Sequence, residues 1–416
     1  MPFCPKSSHS GGRIPTKKKE VYLYMNGLSA VIFLPDDCGK TGYPQPTMLS
    51  PILGVPLLTW LSYALFEGGF GRFFLVGHEP YLSRAKACMP PQAELMTSAD
   101  SDPADQLHVF LSTADDAEED VTIIAGPTLY LPMVQRLEGT EVAASYLANR
   151  EFLMEALDSE FSFSRFLHEN GSPLRDREGF FSVDTPGEFP DLIHLLRKDQ
   201  ALRFAKLGVE IYDPHNFYIE PTVRLEKGAK IFPGTVLRGN TLIRSGATVG
   251  PWSVIDNSEI GEGAFVNASQ VFDSFIAQDV FIGPYAHVRA GTRLGRGSHI
   301  GSFVETKNAK IGENSWAAHL SYLGDTEIGS HCNIGCGTAT ANYDRVEKHK
   351  TTIGDHAFIG CHTVLVAPVQ VGDGAYIGAG STITEDVPEN ALGIARNRQS
   401  NKKDWSSKHK KPPNSL

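Results

Sequence analysis

The residues best suited to chemistry lie between Phe303 and Lys350. His319 opens the stretch His319-Leu320-Ser321-Tyr322-Leu323-Gly324-Asp325; Phe303-Val304-Glu305-Thr306-Lys307 precedes it, and Asn342-Tyr343-Asp344, Lys348 and Lys350 follow. An imidazole titrates near neutrality and can take a proton from a nucleophile. Ammonium groups can hold an anion, and amide groups can donate to a developing oxyanion. A lone histidine is more often structural, but this one lies among a base's natural companions. Such a set describes a site if the chain around it is rigid.

The rigidity comes from a six-residue repeat. Aliphatic residues recur at Ile219, Leu225, Ile231, Leu237, Ile243, Val249 and Ile255. The register slips near Ile260 and recovers at Ile276, Ile282, Val288, Leu294 and Ile300; it returns at Ile328 and Ile334, then at Ile353, Ile359, Leu365, Val371, Ile377 and Ile383. Internal repetition decides the fold ahead of local propensity. Each unit is a short strand and a corner, three units close a triangular coil, and stacked coils make a parallel β-helix prism with a dry aliphatic ladder inside. A charge at a ladder position is then costly. Interruptions must loop outward, and the longest, Thr338 to Thr352, carries Asn342-Tyr343-Asp344.

Before the repeat the pattern is different. Leu28–Leu34 is an apolar run of strand length, Leu57–Phe66 has helical spacing, Phe73-Phe74-Leu75-Val76 is a second strand ending at Gly77, Leu107–Leu111 a weaker helix and Val121–Ile124 a third strand. This alternation predicts an open, mostly parallel α/β sheet. Chemistry in such sheets belongs at the carboxyl ends of strands, here Pro35-Asp36-Asp37-Cys38-Gly39-Lys40-Thr41-Gly42 and Ala125-Gly126-Pro127-Thr128. Two glycines make the first loop a weak phosphate cradle. Residues 140–183 show little periodicity and read as helix and loop. Thr185-Pro186-Gly187-Glu188 has capping-box spacing, Leu192, Leu195, Leu196 and Leu202 follow at helical intervals, and Gly208 can end the segment.

With 416 residues, two or three domains are expected. The domain reading is a flexible extension over 1–27, an α/β domain over 28–184, a linker helix over 185–208, the β-helix over 209–400 and a basic tail over 401–416. A formal charge of -10 argues against a general nucleic-acid binder, and the terminal lysine runs read as solvated tails. The six cysteines lack paired spacing, which suits reduced thiols in a cytoplasm, with Cys332 and Cys336 as apolar fillers inside coils rather than metal ligands. No apolar run is long enough to span a bilayer, and residues 1–20 lack the apolar segment of a secretory signal.

Residues 219–405 resemble the left-handed β-helix acetyltransferase domain of the bifunctional N-acetylglucosamine-1-phosphate uridyltransferase / glucosamine-1-phosphate acetyltransferase family. The resemblance rests on the two stretches around Glu305 and His319, on Asn333-Ile334-Gly335-Cys336-Gly337-Thr338, on Asn342-Tyr343-Asp344 and on Leu365-Val366-Ala367-Pro368-Val369. It implies that His319 is the catalytic base. Arg289, Lys307 and Tyr322 would hold the sugar phosphate, Asn333 the sugar, and Glu305 would orient the amine or support the base. Asn342 and Tyr343 would meet acetyl-CoA beside the reacting centre, with Cys336, Cys361, Ala379 and Arg396 at further acetyl-CoA positions; Lys348 fits the family's loop lysine. The family commonly has Ala at Cys336 and Ser at Cys361, and a thiol is a poorer donor than a hydroxyl. A homotrimer with shared active sites is also implied.

The amino-terminal half resembles the family's uridyltransferase domain in outline, as a truncated, nucleotidyltransferase-like fold. Where that family opens with Leu-Ala-Ala-Gly-x-Gly-Thr-Arg-Met, this chain has Leu34-Pro35-Asp36-Asp37-Cys38-Gly39-Lys40-Thr41. Pro46-Thr47 replaces Pro-Lys, and Gly126-Pro127-Thr128 replaces the Gly-Asp-x-Pro whose Asp binds metal. A uridine-recognition segment has no clear counterpart near Thr97 to Gln106. Asp184 remains near the second metal position, but one carboxylate cannot rebuild a magnesium-triphosphate site. The expectation is a glucosamine-1-phosphate N-acetyltransferase using acetyl-CoA, without Mg2+ and without uridyl transfer. Two alternatives stand beside it: acylation of another amino sugar or retained bifunctionality, and a non-catalytic sugar-nucleotide-binding scaffold.

Overall fold

The computed structural model describes residues 28–99, 103–114, 118–134, 144–158, 163–175 and 178–409. The extension expected over 1–27 and the end of the basic tail lie outside them. The chain divides into two compact units between Phe189 and Pro190.

In the first unit, Leu28–Leu34 lies between Phe70–Gly77 and Asp120–Ile124, parallel to both, and Glu94–Ser98 extends the parallel sheet beyond Phe70–Gly77. Val31, Phe74, Val121 and Ile123 pack with Leu107, Phe110 and Leu111 of helix Ala104–Ser112 and with Leu153 and Leu157 of helix Arg150–Leu157. Helix Leu57–Glu67 buries Leu57, Leu58, Trp60, Leu61 and Leu65. The expected α/β sheet is therefore present. Residues 140–183 differ from the helix-and-loop reading. Helices Arg150–Leu157 and Phe163–Asn170 are joined by strands Ser145–Asn149, Ser172–Leu174 and Phe180–Ser182. Ser145–Asn149 pairs antiparallel with Asp120–Ile124. Its five residues have no clean alternation of their own; the neighbouring strand's edge makes them a strand, as strand formation depends heavily on partners.

Thr185 and Glu188 form both halves of the capping box, and helix Phe189–Lys206 follows. Gly208 ends the segment with a φ of +79°. Leu192, Leu195 and Leu196 are buried while Leu202 is exposed, so the apolar face is narrower than the leucine spacing suggests.

From Glu210 the chain winds as a parallel β-helix. One prism face is an eleven-stranded sheet, and a seventeen-stranded sheet runs round the other two. Phe217 pairs with Thr235, Val254 with Gln270 and His287 with Glu305, so coils advance by 18, 16 and again 18 residues. The slip near Ile260 is thus a shortening of the corners. Ile260, Val266 and Val271 continue the ladder with no exposure at all. Burying one such side chain contributes about 1.5–3 kcal/mol.

The expected interruption is also shorter than its sequence signature. Ala339–Ala341 still pairs with Val364–Val366, and Thr351 pairs with Thr326, leaving residues 342–350 as the outward loop. Thr340 is buried and its hydroxyl donates to the Gly324 carbonyl at 2.9 Å, so a polar ladder residue keeps its hydrogen bond.

Candidate active site

The second prism face carries the charged groups. Glu305 pairs with Tyr322 and Lys307 with Gly324 in adjacent coils, and His287–Val288 pairs with Glu305–Thr306 above. Outward side chains on a strand alternate, so Glu305 and Tyr322 form one column and Arg289 and Lys307 the next. Arg289 Nη1 donates to Glu305 Oε1 at 2.7 Å, joining the columns. Gly324 makes room for Tyr322: a Cβ there would collide with the phenol, which lies along the strand towards the Lys307 column.

The corner between the first and second faces carries His319 and a row beneath it. Strand Trp316–His319 ends with His319 paired to Ser302. The Gly337 amide donates to the Leu320 carbonyl at 2.8 Å, the His362 amide to Cys336 at 2.7 Å and the Gly380 amide to Cys361 at 2.8 Å. His319, Cys336, Cys361 and Ala379 therefore stack one per coil. Arg396 lies at the foot of the row, with Cδ 3.6 Å from where a Gly380 Cβ would be. The hydroxyls of Thr338, Thr363 and Ser381 each donate at 2.6 Å to the glycine carbonyl three residues earlier, which repeats the corner geometry. Cys336 is half-buried and Cys361 exposed, so of the cysteine pair read as interior fillers only Cys332 is interior.

His319 itself is exposed. Its neighbour His299 is half-buried, with its ring 4.6 Å from Phe281 and 5.3 Å from Trp316 between centroids. Burial, and secondarily the charge of His319, push the His299 imidazole below its ordinary pKa. Asn333 is on the first face, pairing with Trp316 and Phe358. It does not share a face with Tyr322.

The outward loop returns across the second face. Tyr343 and Lys348 form an antiparallel bridge, and the His349 amide donates to the Asn342 carbonyl at 2.9 Å. Lys348 thereby reaches Lys307. Hydrogen-bonding contact with Lys348, its charge and then the charge of Arg289 hold the Lys307 ammonium below the ordinary lysine range, partly offset by Asp325. Three cations on one chain thus converge, with Glu305 engaged by Arg289 and Asp325 near Lys307, and the Lys307–Lys348 repulsion leaves this spot receptive to a further anion. Asn342 is buried and donates to Asp325 Oδ2, while Asn308 Nδ2 donates to Asp325 Oδ1 at 2.8 Å. Tyr343 is exposed and its hydroxyl donates to the Arg345 carbonyl at 2.7 Å.

Several amides of the first unit's loops are already engaged. The Lys40 and Thr41 amides donate to the Asp37 carbonyl at 3.0 and 2.9 Å, and the Gly42 amide to Cys38 at 2.9 Å. The Ala125 and Gly126 amides both donate to the Ala144 carbonyl. These donors are spent on a short turn and on an antiparallel neighbour, which leaves fewer amides for a cradle than the two glycines suggest. Asp184 is exposed. Among the described residues no cluster of three or more His, Cys, Asp or Glu side chains could hold a metal ion, and no helix is long and apolar enough to cross a membrane.

Asp325, Glu327, His299 and His349 were given no role by sequence reasoning. The coil length was the missing signal, because Asn308 and Asp325, like Lys310 and Glu327, are neighbours only when a coil separates them.

Comparison with known proteins agrees with the hexapeptide-repeat fold. The family model of the bacterial transferase hexapeptide, with six repeats, matches residues 273–308 and 350–385. The chain is 51% identical over 201 residues to the bifunctional protein GlmU of Brevibacillus brevis, covering 48% of this chain and 44% of that protein. It is 50% identical over 235 residues to that of Trichormus variabilis, covering 56% and 52% respectively. The chain spans about half the length of the curated relatives it matches.

Proposed function

We propose, on the premise that about half of this chain is related to bifunctional GlmU proteins, that it transfers acetyl from acetyl-CoA to the amine of glucosamine-1-phosphate. The product is N-acetylglucosamine-1-phosphate. The observation that carries this reading is the convergence of Arg289, Lys307 and Lys348 on the face next to His319. A sugar phosphate adds negative charge at Lys307 and Lys348, with Tyr322 beside it, and Asn333, on the first face, would reach the sugar from a neighbouring copy. His319 takes the proton from the glucosamine ammonium, and Glu305, held by Arg289, orients the amine. The amine nitrogen forms a bond to the thioester carbonyl carbon and the C–S bond breaks; of the two protons the nitrogen gives up in all, one passes from His319 to solvent before attack and the other, lost as the amide forms, leaves with the CoA thiol. Amide donors stabilise the oxyanion in between. Asn342 is one such donor, since Asp325 engages one of its two amide hydrogens. Tyr343, Cys336, Cys361, Ala379 and Arg396 would line the acetyl-CoA path, with Arg396 at a CoA phosphate.

Within one chain Asn342 is level with Asp325, six residues along the coil from His319, so the two sit at opposite edges of the second face, up to about 20 Å apart at ~3.3 Å per residue. A homotrimer with sites shared between copies closes that gap. The exposed column of Tyr285, Phe303 and Leu320 beside His319 supports such contact, because isolated chains seldom leave a contiguous apolar row bare. Magnesium has no part in this reading, and the first unit would have lost uridyl transfer. The spent loop amides and the missing metal Asp support that loss.

The test is CoA release by the purified chain with a panel of amines at equal concentration. Release should require glucosamine-1-phosphate. Preference for an amino sugar without the 1-phosphate sinks the acceptor assignment, and formation of UDP-N-acetylglucosamine from UTP sinks the loss of the second activity. A pH prediction follows from the cation cluster. Lys348 is the main cause of the depressed Lys307 pKa, so Lys348→Met should let Lys307 keep its proton to higher pH. Affinity for the acceptor should be weaker overall, with its alkaline loss moved upward in pH; an unmoved limb refutes the coupling.

A further inference from the structure

Residues 342–350 carry Tyr343 and Lys348, yet the loop is exposed almost throughout, with Val346 at 83%. Exposed loops of this length sample many positions, and holding Lys348 against Lys307 works against like-charge repulsion. Something must therefore fix the loop. Strand Tyr322–Ile328 supplies an anchor at each end: Asp325 accepts from Asn342 where the chain leaves the prism, and Glu327 pairs with Lys350 where it returns. Between them Asp344 accepts from the Val346 amide at 2.8 Å, the Glu347 amide at 2.7 Å and His349 Nε2 at 2.7 Å.

From this arrangement we propose that Glu327 is a positioning residue for acceptor binding. Glu327 Oε1 lies 2.8 Å from Lys310 Nζ on the adjacent strand, while Oε2 pairs with Lys350. One carboxylate thus fastens the returning end of the loop to the sheet, two residues from Lys348. A cavity of about 290 Å³ opens beside it, lined by Asn308, Asp325, Lys348 and His349 together with the Glu327 pair. The loop has room to shift into that space when the pair is broken. Glu327 is far from His319 along the chain's faces, so its loss should act on where Lys348 sits and spare the base. The two ammonium groups hold the Glu327 carboxyl down to about 2, so the anchor is charged throughout the working range.

This inference rests on the proposed acetyl transfer, and its test separates the two. In Glu327→Gln the KM for glucosamine-1-phosphate should rise about tenfold while kcat falls less than twofold, and Lys350→Met should behave alike. A readout independent of activity is tryptic cleavage after Arg345 and Lys348, which should quicken several-fold in both variants with an unchanged thermal midpoint. Faster cleavage with an unmoved KM overturns the positioning role. Unchanged cleavage and KM overturn the anchor altogether. A wild-type chain that acetylates no sugar phosphate, with faster cleavage in the variants, upholds the anchor and rejects the proposed reaction.

Discussion

Replacing His319 by alanine should lower acetyl transfer by about 10²–10⁴-fold, the usual contribution of a positioned general base. In the proposed reaction the acceptor arrives as an ammonium ion, whose nitrogen has no lone pair for the thioester until a base takes its proton. The imidazole is exposed and stands at the head of the corner row of Cys336, Cys361 and Ala379. The corner does not depend on the ring. The Leu320 amide donates to the Ser302 carbonyl at 2.9 Å, and Ser321 Oγ donates to the His319 carbonyl at 2.9 Å; both survive truncation. Thermal stability and oligomeric state should therefore match the wild type, as should acceptor KM within about twofold, because the cations on the second face are untouched. CoA release from the variant at more than a tenth of the wild-type rate would show that another group removes the proton.

The second large effect is on stability. Ile300→Asp should destabilise the chain by about 4 kcal/mol or more, against about 0.5–1.5 kcal/mol for Ile300→Val. Ile300 is fully buried, between Ile282 in one neighbouring coil and Ala317 in the other. A carboxylate there has no polar partner inside the prism and must either ionise in apolar surroundings or be held protonated. Coils stabilise each other only through their neighbours, so a defect in the middle weakens the stack on both sides. Urea unfolding followed by far-UV circular dichroism measures both variants. Equal midpoints for the two substitutions would mean that the ladder is wet.

The prism could be read from residues such as Ile231, Val249 and Val288 because a triangular coil leaves each aliphatic position one place to go. The same logic failed for Ser145–Asn149, whose strand character comes from the edge of Asp120–Ile124. It failed too for the span near Ile260, where the corners absorb the missing residues and the ladder continues. Among site residues, Glu305, Lys307, His319 and Tyr322 share short stretches and could be picked out together. Asp325 and Glu327 could not, for their partners Asn308, Asn342, Lys310 and Lys350 lie one coil away in either direction.

The amino-acid order alone determined that this protein is an α/β unit followed by a stacked prism, since hydrophobic period is a local property that burial translates directly into shape. It also marked which side chains could do chemistry. Only the tertiary structure decided that Lys348 returns to Lys307, that Cys336, Cys361 and Ala379 line up below His319, and that Asn333 faces elsewhere. These are contacts across coils, and the number of residues in each coil varies from 16 to 18 or grows by a loop. Side chains distant in sequence meet at those lengths, and no local pattern specifies them.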